Sequence, residues 1–224
     1  VGAHDKSRTK AFTEDDWSLL ESPALKPYPK AKTLAEKAAW DFFKKEKPSF
    51  TFSVINPCVV VGPVASANVG SSTQLIASTL NPKLPFTVNS YFRLVDVRDV
   101  VQAHINAAKF KEASGKRFII TQSDGGEKSH AEIADTLRNE FGPMGYNVAH
   151  IRLPDVVVWL FSFCISKAAD AYFFLGNRQK LDNSLSRDIL KLEYTPIEKT
   201  LLDAGHSMIQ YGAIPKKEGY RKAV

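Results

Sequence analysis

Apolar positions along the 224 residues fall into two spacings, and the change from one to the other marks out the elements. Three short runs rich in β-branched and aromatic residues, Phe50-Thr51-Phe52-Ser53-Val54-Ile55, Tyr91-Phe92-Arg93-Leu94-Val95 and Phe118-Ile119-Ile120-Thr121, read as strands. Between them lie segments with apolar residues three and four apart, which read as helices. The spacing predicts a helix from Pro29 to about Lys45 whose Leu34, Ala35, Ala38, Ala39 and Phe42 form one face for packing on a sheet. Further helices are predicted over Thr73–Leu80, Val100–Phe110, Ser129–Phe141 and Ile197 to about Tyr211.

Local chemistry punctuates these elements. Pro48 ends the first long helix, Asn56-Pro57 is expected to break pairing at the carboxyl end of the first strand, and Gly142-Pro143 stops the helix that Ser129 opens. Ser129 and Glu132 have the spacing of a capping box. Thr13 followed by Glu14, Asp15 and Asp16 suits a short helical turn, leaving Trp17 either in a plain surface connection or on the rim of a site. Ser66 to Thr73 is small and polar, a loop that wraps a ligand or simply connects. The order helix, short link, strand is half of a βαβ crossover, so the fold class is α/β with a parallel sheet.

Composition narrows the class. With 44% hydrophobic and 24% charged residues the chain is a folded protein with a sizeable core, arranged as one domain or a pair. The formal charge of +6 is spread along the chain and forms no arginine-rich or aromatic-interleaved basic block, which argues against a nucleic-acid partner. Val156 to Ile165 is too short to span a bilayer and is expected as a buried helix in preference to an interfacial one. The first residues carry no apolar run or cleavage signature. Cys58 and Cys164 match no zinc spacing and fit reduced thiols, so the expected location is the cytoplasm. His104, His130 and His206 have no partner spacing for a metal, and no metal site is expected.

Candidate chemistry centres on Tyr28 and Lys32. If Pro29 lies in a first helical turn, the lysine is one turn beyond the tyrosine on the same face. A phenol with an ordinary pKa near ~10 gives up its proton reluctantly at neutral pH, and a neighbouring ammonium lowers that cost. Such a pair can exchange a proton with a carbonyl or alcohol oxygen.

Tyr28 to Trp40, then Asn56-Pro57-Cys58-Val59-Val60-Val61-Gly62-Pro63, then Val95-Asp96-Val97-Arg98-Asp99-Val100 together resemble the extended short-chain dehydrogenase/reductase family, of NAD-dependent epimerase/dehydratase type. The branch it is most similar to is that of dihydroflavonol-4-reductase-like and yeast methylglyoxal-reductase-like carbonyl reductases. The resemblance runs from about Trp17 to Ile209. It implies the C-terminal part of a Rossmann-type doubly wound parallel sheet plus a smaller α/β substrate-binding lobe. Residues 1–62, with 91–122 returning, would belong to the cofactor domain, and 63–90 and 123–224 to the lobe. It further implies NADP(H), with NAD(H) less favoured, and a small-molecule carbonyl or alcohol substrate. Tyr28 and Lys32 would be catalytic and would also contact the cofactor, Pro57 and Val60 would cover the nicotinamide, and Ser72 would lie near the phosphates. Read without the resemblance, Pro57 and Gly62-Pro63 are ordinary turn residues. In relatives the Asp-Val-Arg-Asp segment is architectural, with Asp99 capping a helix and Arg98 in internal charge pairs.

The implied reaction is reduction of an aldehyde or ketone, the alternatives being a nucleotide-sugar epimerase or dehydratase, a 3β-hydroxysteroid dehydrogenase-like enzyme, or a non-catalytic fragment or binding module. As a reductase it would be a monomer or homodimer. No Gly-rich phosphate turn occurs in these residues, nor the serine or threonine that accompanies the tyrosine in the family. A complete doubly wound domain would need about 110 to 120 further residues. The 224 residues alone are therefore expected to be inactive, with an open sheet edge that lowers solubility or pairs with another chain.

Overall fold

A computed structural model describes residues 8, 10–23, 25–83, 85–122, 126–164, 175–176, 178 and 180–221. Contacts divide the chain into two units, residues 1–57, 100–121 and 178–193 in the first and 58–99, 122–177 and 194–224 in the second. Those bounds differ from the expected ones. Residues 58–62 and 91–99 join the second unit because their strands pair with each other, and 178–193 return to the first through a parallel bridge between Phe12 and Leu181.

The first unit is built on two parallel strands, β1 (Val54–Pro57) and β5 (Arg117–Ile120), in register from Val54↔Arg117 to Pro57↔Ile120. With them go α1 (Pro27–Glu46), residues 100–109 of α3 (Val97–Lys109), a 3-10 turn at Lys111–Ala113 and α6 (Ser184–Leu190). The first strand is shorter than expected and shifted toward its carboxyl end. Phe52 turns instead to Trp40 and Phe43, with ring centroids 4.6 and 5.6 Å away, and Phe50 stays exposed. Asn56-Pro57 does not break the pairing: both residues are in β1, where a proline at the end of an edge strand removes no ladder bond that matters.

The second unit holds β2 (Val59–Val61), β4 (Tyr91–Asp96) and β6 (Glu127–Ser129) in the order β2-β4-β6, parallel then antiparallel. A second pair, β3 (Phe86–Thr87) with β7 (Ile151–Arg152), is parallel. Helices α2 (Ser71–Leu80), α4 (His130–Phe141) and α7 (Ile197–Gln210) enclose a core of Val61, Ile76, Leu80, Leu94, Ile133, Leu137, Phe141, Leu201 and Met208. Ser129 and Glu132 form the expected capping box of α4. Gly205 lets α7 approach α4: a Cβ there would sit 2.6 Å from two ring carbons of Phe141. Gly205→Ala is expected to cost about 1–3 kcal/mol by overpacking, read as a lowered midpoint in chemical denaturation.

Helix α5 (Asp155–Ser162) does not form the buried element its composition suggested. Only Val158 is buried, while Val156, Trp159, Leu160, Phe161 and Phe163 are exposed. The described residues place no element over that face; Ile165, the last residue of the predicted segment, lies outside them. No helix among the described residues is long and apolar enough to cross a membrane.

Two polar clusters brace the second unit. Asp96, at the end of β4, accepts from the Arg98 N–H and guanidinium and from the Thr200 hydroxyl at 2.6 to 2.8 Å, and Arg98 also reaches Asp203 at 2.8 Å. Asp96 thus supplies the helix-start acceptor expected of Asp99. The Asp99 side chain is instead taken by Thr195, whose N–H and hydroxyl donate to it at 2.9 and 2.8 Å. Burial pushes the Asp99 carboxyl up despite those two bonds.

His130, half-buried at the start of α4, makes the second cluster. Its Nδ1 accepts from the Val88 N–H at 3.4 Å, which makes Nε2 the protonated nitrogen facing Thr79 Oγ1 at 3.0 Å. The Thr79 hydroxyl in turn donates to the Leu75 carbonyl. Desolvation holds His130 down to about 4 from 6.5, so the fold keeps it neutral where the unfolded chain would protonate. Stability from this group is complete above pH 6.5 and is lost as pH falls toward 4, about 3 kcal/mol over the window at about 1.4 kcal/mol per unit. Denaturation at pH 7 and at pH 4 is expected to show that loss in the parent beyond whatever His130→Gln loses.

Candidate functional site

Helix α1 carries both residues singled out for proton transfer. Pro27 and Pro29 lie in its first turn, where missing N–H groups cost nothing, and no side chain caps the Lys26 end. The Thr33 hydroxyl returns to the Pro29 carbonyl at 2.8 Å, closing the second turn. Lys44 and Lys45 occupy the last turn, and Lys47 ends the helix in a left-handed conformation with its N–H on the Phe43 carbonyl. Tyr28 is 76% exposed, and Lys32, one turn on, is exposed and has no ion pair among the described residues.

The face that α1 turns inward is not the one its apolar spacing suggested. Leu34, Ala35, Ala38 and Phe42 are exposed, with Ala39 half-buried. Thr33, Glu36, Trp40 and Phe43 face the rest of the unit instead. A charged cluster decides this orientation. Arg117 of β5 forks onto Glu36, Nε to Oε1 at 2.6 Å and Nη2 to Oε2 at 3.2 Å, both side chains being nearly enclosed. The Trp40 indole donates to the same carboxylate at 3.2 Å. The Arg117 guanidinium stacks on Trp17, 3.7 Å from the ring centroid, and donates to the Glu14 carbonyl. Glu14 accepts from the Ile119 N–H at 2.9 Å; burial pushes its carboxyl up, against that bond and Arg117, which pull it down. Trp17 is therefore a stacking platform in the first unit. Sequence spacing missed Arg117 because its partner lies 81 residues away.

Of the other predicted residues, Pro57 is exposed at the end of β1 in the same unit as Tyr28 and Lys32. Val60 is half-buried in the middle of β2, opposite Val95, and Ser72 is half-buried in the first turn of α2, both in the second unit. At the carboxyl ends of β1 and β5 two buried polar atoms, Asn56 Nδ2 and Thr121 Oγ1, have no hydrogen-bond partner among the described residues. In open α/β sheets ligands bind beyond such ends. A separate concavity of the first unit, lined by Glu14, Asp15, Asp182 and Asp188, is acidic and unsuited to a phosphate-bearing ligand. The described residues contain no cluster of metal-ligating side chains.

No family model matches the chain. A putative NADPH-dependent methylglyoxal reductase of Candida albicans, GRP2, is 32% identical over 205 residues, 86% of this chain and 54% of that protein. Cinnamoyl-CoA reductase 2 of Medicago truncatula is 29% identical, covering 93% of this chain and 55% of its own length. Among solved structures, Gre2 of Candida albicans in complex with NADPH superposes with a TM-score of 0.66 at 28% identity, over 89% of this chain and 57% of that one. The chain spans about half the length of the curated relatives it matches. It is an α/β protein of the Rossmann-like reductase fold and a homologue of the methylglyoxal and cinnamoyl-CoA reductases.

Proposed function

We propose that the protein carrying this chain is an NADP(H)-dependent carbonyl reductase, converting an aldehyde or ketone to an alcohol, with Tyr28 and Lys32 as its proton-transfer pair. The observation that carries the reading is the Tyr28–Lys32 spacing on one exposed helix face in a chain 32% identical to a methylglyoxal reductase. Lys32 has no competing ion pair among the described residues, so its ammonium is available to the phenol and to ribose hydroxyls. The unpartnered Asn56 amide and Thr121 hydroxyl at the sheet's carboxyl ends are donors of the kind a polar ligand would satisfy.

Within the first unit, Tyr28 and Lys32 would hold the nicotinamide ribose and Pro57 would cover the ring. When bound, NADPH supplies the hydride, which is the cofactor's chemistry. Tyr28 gives its phenolic proton to the substrate oxygen as that oxygen gains negative charge. Lys32 stabilises the phenolate that remains. On this reading the first unit, holding α1, β1 and β5, serves the cofactor, and the second serves the substrate. A cytoplasmic location is supported by two cysteines that form no disulfide.

The test is NADPH consumption by the whole protein with methylglyoxal and a panel of aliphatic and aromatic aldehydes and ketones. Consumption that requires the carbonyl and is lost in Tyr28→Phe supports the proposal; consumption that Tyr28→Phe leaves unchanged removes it.

A further inference from the structure

We infer that Arg117 is a positioning residue for the Tyr28–Lys32 pair, because it holds the Glu36 carboxylate that would otherwise capture the Lys32 ammonium. The inference rests on the reading of Tyr28 and Lys32 as the proton-transfer pair. Tyr28, Lys32, Glu36 and Trp40 follow one another at intervals of four residues along α1, one row of side chains down the helix. Within that row Lys32 has two neighbours, the phenol one turn before it and the carboxylate one turn after it. A lysine and a glutamate at this spacing pair readily on a helix surface. A lysine drawn to Glu36 is drawn away from Tyr28, and its charge is cancelled.

The carboxylate is fully engaged elsewhere. One oxygen accepts from Arg117 Nε at 2.6 Å and from the Trp40 indole at 3.2 Å, and the other accepts from Arg117 Nη2 at 3.2 Å. A planar guanidinium can satisfy both oxygens of a carboxylate at once, which a lysine cannot. The guanidinium is itself immobilised, stacked on Trp17 at 3.7 Å and bonded to the Glu14 carbonyl. Glu36 and Arg117 are only 12% and 11% exposed at their side chains, so water weakens their attraction far less than it would a surface pair. The outcome is a row in which the acid is committed inward and the ammonium is left to the phenol.

The chemical reactivity of Lys32 reads this directly, without turnover or cofactor. An amine paired with a carboxylate keeps its proton more firmly and acylates more slowly. The rate of Lys32 acetylation by dilute acetic anhydride, followed by peptide mass spectrometry on the full chain, is expected to fall about twofold or more in Arg117→Gln. Glu36→Gln and the double variant Glu36→Gln/Arg117→Gln should keep the parent's rate, since neither holds a carboxylate at that position. Ala35→Glu places a carboxylate with no arginine partner on the exposed side of α1, three residues from Lys32, and should slow acetylation as well. It covers the case in which Arg117→Gln does not fold, together with Arg117→Lys, in which one carboxylate oxygen is released and a smaller fall is expected. A merely structural role for Arg117 predicts equal effects of Arg117→Gln and Glu36→Gln. That result, or parent rates in both Arg117→Lys and Ala35→Glu, overturns the inference. If acetylation follows the expected pattern while Tyr28→Phe leaves turnover intact, the proposed function fails and the positioning claim, as a statement about Lys32, stands.

Discussion

Tyr28→Phe is expected to lower the rate of NADPH-dependent carbonyl reduction about 10²- to 10⁴-fold, the range in which removal of a general acid falls. The substitution deletes one oxygen and the proton it carries. It leaves the ring, the helix and Lys32 in place. Because Tyr28 is 76% exposed and its hydroxyl makes no hydrogen bond within the described residues, stability should change by no more than about 0.5 kcal/mol. The diagnostic result is therefore a split: thermal or urea unfolding unaltered, turnover nearly lost, and NADPH binding, followed by nicotinamide fluorescence, weakened little. Lys32→Ala should behave differently. It removes both the support of the phenolate and a partner for the ribose hydroxyls, so turnover and NADPH affinity should fall together. A Tyr28→Phe protein that is destabilised as much as it is inactivated would mean that the tyrosine serves the fold.

The second large effect concerns stability. Asp96→Ala is expected to cost about 3 kcal/mol, near the low end for breaking a buried ion pair. Asp96 is fully buried and accepts four hydrogen bonds, from the Arg98 N–H, two guanidinium nitrogens and the Thr200 hydroxyl. Burial pushes its carboxyl up, but the Arg98 and Thr200 bonds outweigh burial and hold it below the usual carboxylate range. The contribution is accordingly present at neutral pH and is lost as pH falls through the carboxyl's lowered range. The low end applies because Arg98 is 43% exposed and keeps Asp203 as a partner after the substitution, so no isolated charge is left in the core. Asp96→Asn keeps the shape and an acceptor for the Arg98 N–H and should cost clearly less. Urea unfolding of the three proteins at pH 7 checks the order; equal stability of Asp96→Ala and the parent would contradict it.

What was legible in the residues had local causes. The helix beginning at Pro27 and Pro29, the capping box at Ser129 and Glu132, the stop at Gly142-Pro143 and the strand Tyr91–Asp96 all follow from dihedral preference or from groups within one turn of each other. The four-residue step from Tyr28 to Lys32 is local in the same sense. The Arg98 charge pairs follow from the family resemblance and not from the residues alone.

What failed in the sequence reading was orientation. The Leu34, Ala35, Ala38 and Phe42 face of α1 has the better apolar spacing and is exposed, while the face bearing Glu36 and Trp40 is turned inward. A pattern rule ranks faces by hydrophobicity, yet here an ion pair with Arg117, 81 residues on, and an edge-to-face contact of Trp40 with Phe52 set the rotation of the helix. The α5 segment failed for the same reason. Its composition suits a buried helix, but burial depends on what another part of the chain lays over it.

By itself the sequence determined the α/β class, the positions of most helices and the one-turn spacing of a phenol and an amine, because these depend on bonds and dihedrals within a few residues. Only the tertiary structure decided which side of α1 meets the sheet, that Asp96 in place of Asp99 receives the start of α3, and that the Glu36 carboxylate is committed to Arg117. Those outcomes depend on pairings between residues far apart in the chain, whose energies exist only once the backbone has brought them together.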